Sequence, residues 1–159
     1  MKSVEEIVEA ANRLREGAPE VPPHDLPPGK HTPGEPDWHP IEHSAWALGE
    51  RIRQALGANP RLKKAPEVLE AIIAVVECRS LRRGRQSFLL CLAFRGAAPL
   101  AGKIAPFLED KDVCGHTLSA LARMRVPGYS IEVEPLLEAR HAWVRKLAKQ
   151  YLDRYPADA

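Results

Sequence analysis

Apolar side chains recur along this chain at intervals of three and four residues, the spacing that puts them on one face of a helix. Val4, Ile7, Val8, Ala11 and Leu14 make the first such stripe, with Ser3 placed to cap it and Glu5 and Glu6 favourable in its first turn. Ile41, Ala45, Leu48, Ile52 and Leu56 make the second, closed by the turn Gly57-Ala-Asn-Pro60. Between them the pattern lapses. Seven prolines fall between Pro19 and Pro36, and fixed φ angles with missing amide donors predict an extended arm there. Val68, Leu69, Ile72, Ile73, Val75 and Val76 then cover an arc too wide for a surface helix, so this third helix should be buried on most sides, with Pro66 in its first turn. Phe88, Leu89, Cys91 and Leu92 predict a helix over residues 86–94 that breaks at Gly96 to Pro99. Val113, Thr117, Leu118, Leu121 and Met124 line another, turned by Pro127-Gly128, and Ser130 is placed to cap the helix that follows. Val144, Leu147, Ala148, Tyr151 and Tyr155 line the last, over residues 142–155. No segment alternates apolar and polar with a period of two, so the fold class read from the pattern is all-α. Residues 1–37 read as an N-terminal helix and proline-rich arm, and residues 38–159 as one helical domain.

Two stretches carry the same phrase. Ile104-Ala-Pro106-Phe-Leu108-Glu109 returns 29 residues later as Val133-Glu-Pro135-Leu-Leu137-Glu138. An internal repeat of this length predicts stacked helical hairpins, each unable to bury its apolar face without a neighbour. A proline recurring at one position should either delay the start of each repeated helix or kink it. Pro135-Leu136-Leu137-Glu138 is followed by Trp143-Val144-Arg145, Ala148 and Leu152, and the earlier unit runs from Pro106 through Asp110 to Val113, Thr117 and Ala120-Leu121. In these residues the C-terminal half, about 80–155, resembles the HEAT-repeat family, especially its short bacterial, phycobilisome-lyase-like type. The arginine usual after the valine is missing in the unit at Val113, and the connector before Val144 is two residues longer. The resemblance implies a short α-solenoid whose second helices line a binding surface. Those helices carry Lys103, Glu109, Glu132, Glu134 and Glu138, which makes that surface mostly acidic.

Charge sharpens the picture. The net charge is +2 over 159 residues, but residues 1–78 sum to −4 and residues 79–159 to +6. Arg79, Arg82, Arg83 and Arg85 crowd one connector, and clustered arginine neutralises phosphates well, so nucleic-acid binding or DNA-base repair is one alternative. The acidic composition of the repeated helices argues against a DNA-cradling groove. His39 and His43 stand four apart, with Asp37 and Glu42 as possible oxygen ligands and His24 and His31 in the arm. A metal-dependent enzyme built on His39 and His43 is a second alternative, although Pro40 lies between them and no His-Glu-x-x-His order is present. Cys78, Cys91 and Cys114 lack paired spacing and read as reduced core thiols. His116 follows a helix-weakening Gly115 that close helix approach would explain, and Trp143 should pack between hairpins. No nucleophile elbow or phosphate-cradling glycine loop is present, so no catalytic residue and no cofactor is expected.

The chain opens without the apolar run of a signal peptide, and no stretch approaches membrane-spanning length, which predicts a cytoplasmic protein with no membrane partner. The expected activity is non-catalytic binding of another protein. One concrete form is an inhibitor, immunity or adaptor protein that takes a basic partner through Glu132, Glu134 and Glu138, with Trp38 beside the arm as a further contact.

Overall fold

The computed structural model describes residues 1–20 and 38–157. Every regular element among them is helical: eight α-helices joined by 3-10 turns, with no strand. None of these helices is long and apolar enough to cross a membrane. Most of the proline-rich arm, with His24, His31 and Asp37, lies outside the described residues. The chain divides by its internal contacts into Met1–Cys91 and Leu92–Ala159, so the N-terminal helix belongs with the helices that follow the arm.

In the first unit α1 spans Val4–Glu16, and Ser3 Oγ accepts the amide of Glu6 at 3.2 Å as the expected cap. Its buried Ile7 and Ala11 face α3, Pro66–Val76, where Val68, Ala71, Ile72, Ile73, Val75 and Val76 are all buried. The wide apolar arc is thus covered on most sides, and each such valine or isoleucine stabilises the unit by roughly 1.5–3 kcal/mol relative to exposure. Helix α2, Pro40–Ala58, lies against the segment Arg79–Arg85 and against α4, Gln86–Cys91. α4 stops three residues earlier than the pattern predicts, because Phe94 is already extended, at φ −151° and ψ 156°, ahead of a 3-10 turn over Arg95–Leu100.

The approach of α2 is set by glycine. A Cβ on Gly49 would stand 2.0 Å from Ser87 Oγ and 2.9 Å from Phe88 Cδ2, and one on Gly84 would stand 2.7 Å from Ala45 Cβ. Ser87 Oγ is not free to move, since it donates to the Trp46 carbonyl at 2.9 Å. Gly49→Ala is therefore expected to lower stability by about 1–3 kcal/mol through overpacking, despite the better helix propensity of alanine. Urea denaturation checks this, and an unchanged or raised midpoint would mean that Ser87 can rotate out of the way.

In the second unit the repeated phrase has a repeated conformation. Helix α5, Ala101–Ile104, passes into a 3-10 turn over Ala105–Glu109, and α7, Ser130–Val133, passes into a 3-10 turn over Glu134–Glu138. Pro106 and Pro135 each stand second in their turn. Lacking an N–H, each proline ends the α-helical ladder, and the chain tightens to three-residue closure. Both copies close alike: Asp110 N donates to Phe107 O and Ala139 N to Leu136 O, each at 3.1 Å. The first turn packs on α6, Cys114–Met124, and the second on α8, Ala142–Arg154. The extra two residues before α8 are visible in register, since buried Thr117 and Ala120 correspond to buried Ala148 and Tyr151 at a spacing of 31 rather than 29.

Ser130 does not cap its helix. Tyr129 holds the cap position, and Ser130 Oγ donates instead to the carbonyl of Tyr155, while Tyr151 Oη donates to Val126 O at 2.6 Å. Two side-chain bonds thereby tie the last helix and its C-cap to the start of α7 and to the connector before it. Gly115 does mark a close approach: its Cβ would fall 2.5 Å from Trp143 Cη2 and 2.7 Å from Val144 Cγ2.

Candidate functional site

The second unit exposes the acidic residues singled out in the sequence. Glu132, Glu134 and Glu138 all face solvent on α7 and its 3-10 turn, while Val133 and Leu136 between them point inward. Alternation of this kind follows from the helix period, which sends the acids outward once the two aliphatics are buried. Ile131 on the same element is 75% exposed, and Leu137 is 36% exposed where its repeat counterpart Leu108 is buried. Between the two repeated segments runs a groove of about 300 Å³ lined by Gly102, Ala105, Pro106, Glu109 and Glu132. The floor is small and apolar and the charged lining residues are both carboxylates. Sequence reasoning missed Ile131 and Gly102, although the 29-residue register puts them at one repeat position, where an isoleucine and a glycine alternate.

The arginine cluster in the first unit is turned largely to internal use. Glu42 is fully buried and collects four bonds: the amide of His39 at 2.9 Å, the amide of Arg83 at 3.3 Å, and Arg83 Nε and Nη2 at 3.0 and 2.8 Å. Burial works to raise its pKa, but the hydrogen bonds from Arg83 and His39 and the guanidinium charge outweigh it, leaving the carboxyl below its usual range. Arg85 is only 1% exposed and donates to Arg82 O at 2.8 Å and Val76 O at 3.2 Å. Arg82 carries φ 44° and ψ −123°, a backbone conformation that favours glycine and costs about 1–3 kcal/mol for other residues. Arg79 is exposed. Of the four arginines proposed for phosphate contact, then, one is buried and one is engaged with a buried carboxylate.

Trp38 belongs to the same arrangement. The Arg83 guanidinium lies 5.3 Å from its ring centroid, and the His43 ring lies 5.6 Å away on a 34° tilt. His39 and His43 are not brought together as ligands. His39 caps α2, its Nδ1 accepting the amide of Ile41 at 3.2 Å, while His43 faces Trp38. Glu42, named as a possible oxygen ligand, forms the other half of the capping box. Among the described residues no three His, Cys, Asp or Glu side chains are grouped as a metal site.

The cysteines are unpaired thiols. Cys91 is buried, which pushes its pKa up to about 12, and its sulfur donates to the carbonyls of Gly49 and Ser87 at 3.5 and 3.3 Å. Trp143 lies against α6, its ring edge-on to His116 with centroids 5.3 Å apart, yet it stays 47% exposed. Comparison with protein families, with curated proteins and with solved structures gives no match for this chain.

Proposed function

We propose that the chain is a non-catalytic, HEAT-like helical-repeat module that works by binding another protein, and that its partner is basic and docks on α7 and the turn that follows it. The observation that carries this reading is the exposed trio Glu132, Glu134 and Glu138 on the same continuous segment as an isoleucine left three-quarters in solvent. An apolar anchor accompanied by charges of one sign suits a protein interface, where the anchor supplies affinity and the charges supply partner choice and on-rate. An inhibitor, immunity or adaptor protein is the concrete form such a module takes. A HEAT-like reading is supported by the shared conformation of the two repeated phrases and by the packing of each on the helix that follows it.

The test is affinity capture from native cell extract with wild type and with the Glu134→Lys/Glu138→Lys double variant, followed by mass identification. The expected outcome is a basic protein retained by wild type, released by salt, and bound at least tenfold more weakly by the variant. Capture that survives the charge reversal overturns the acidic-face reading. Retention of duplex DNA at low ionic strength, lost on changing Arg79 and Arg82, would favour the nucleic-acid alternative instead.

A further inference from the structure

Gly102 is a residue without a local reason. It sits inside a helical turn, where glycine is the poorest former after proline, and it is exposed. No tight approach requires it: a Cβ there would meet only Tyr129 Oη, at 4.0 Å. Its backbone needs no positive φ, the only such glycine among the described residues being Gly128. The repeat places Ile131 at the equivalent position of the next copy, so the scaffold accepts a large side chain there. What the missing side chain does provide is open space, because Gly102 lines the groove with Ala105, Pro106, Glu109 and Glu132.

We infer that this groove receives an arginine side chain from the partner protein, which deepens and rests on the binding reading above. The aliphatic stem lies over the apolar floor of Gly102, Ala105 and Pro106, as the stems of long cationic side chains do on apolar surface. The guanidinium reaches Glu109 on one repeated segment and Glu132 on the next. Two carboxylates from different elements suit a planar, multi-donor cation better than a strongly hydrated ammonium, which selects arginine over lysine. The groove volume of about 300 Å³ is at the small end of ligand clefts and fits one side chain rather than a folded element.

The probe is N-acetyl-arginine amide, followed by amide chemical shifts of the full chain, with N-acetyl-citrulline amide as a neutral isostere and N-acetyl-lysine amide as a second cation. Saturable shifts at Gly102 and Glu132 are expected with the arginine compound. Binding at least fivefold weaker is expected with the lysine compound and at least tenfold weaker with citrulline. Gly102→Leu fills the groove and should abolish the shifts while keeping the helical circular dichroism. Glu109→Gln, an exposed change that disturbs no packing, should weaken binding at least threefold and keeps the test open if Gly102→Leu misfolds. No saturable shift in wild type, equal binding of citrulline or lysine amide, or undiminished binding by both variants overturns the inference. Its failure is separable from failure of the broader reading: partner capture lost in Glu134→Lys/Glu138→Lys but untouched by Gly102→Leu leaves the module a binder with no arginine pocket. Probe binding with capture indifferent to charge reversal does the converse.

Discussion

Glu42→Ala is expected to lower the free energy of unfolding by about 3 kcal/mol, measured by urea denaturation at pH 7. The side chain is fully buried and accepts from two backbone amides and two guanidinium nitrogens. Alanine would take from the His39 amide its capping-box partner and from the Arg83 amide the Glu42 acceptor, and a lost buried hydrogen bond of this kind costs about 1–3 kcal/mol. The Arg83 side chain is 30% exposed and can recover water, which holds the loss below a simple sum. Glu42→Gln keeps an acceptor and should cost about half as much. A loss under 1 kcal/mol for the alanine variant would mean that the strained turn at Arg82 is held by other contacts.

The partner variant separates charge from packing. In the wild type the lowered Glu42 pKa means that its stabilisation is present above the unfolded value near 4.5 and is lost as pH falls through the lower folded value. Arg83→Ala removes the guanidinium, and burial is then the dominant influence, so the folded pKa should rise above the unfolded one. Stability of that variant relative to wild type should accordingly improve as pH falls from 7 to 5. A difference between the two that is constant with pH would show that Glu42 titrates alike in both.

The helices were legible because their signal is local. The stripes at Val4, Ile41, Val68, Val113 and Val144 each fall on one helix, with Val113 and Tyr155 at the caps of theirs, and the capping Ser3 is three residues from the amide it serves. The repeat was legible for the same reason, its prolines imposing one conformation twice. The internal role of Arg83 and Arg85 was not legible, because it is not local. Glu42 meets Arg83 across 41 positions of sequence, and neither residue carries a pattern that announces the other. Read alone, Arg82-Arg83-Gly84-Arg85 is a basic patch; folded, it is a tight turn in which Arg82 occupies a glycine-like conformation two residues ahead of a real glycine. Ser130 failed as a cap for a similar reason, a partner at Tyr155 outcompeting the near amide. Exposed acids on α7 were readable, since they follow from the helix period once Val133 and Leu136 are assigned inward. The groove beside them was not, because it depends on how far apart two repeat copies stand.

His116 sets a second large expectation, in the response to acid. Burial, with the Trp143 ring edge-on beside it, pushes its pKa down to about 4 from an ordinary value of 6.5. Between these two values the unfolded chain binds a proton that the folded chain does not, so stability rises with pH across that window and falls as the solution is acidified from 6.5 toward 4. A shift of this size corresponds to about 3 kcal/mol over the window, and its loss starts at a higher pH than the protonation of ordinary carboxylates. His116→Phe keeps an aromatic ring against Trp143 and removes the titration. The stability difference between wild type and this variant, measured by urea denaturation at half-unit steps, should therefore slope through pH 6 and 5 and flatten above 7. A difference that does not change with pH would place the imidazole in water, and would remove the argument that Gly115 draws Trp143 onto α6 tightly enough to keep that histidine neutral.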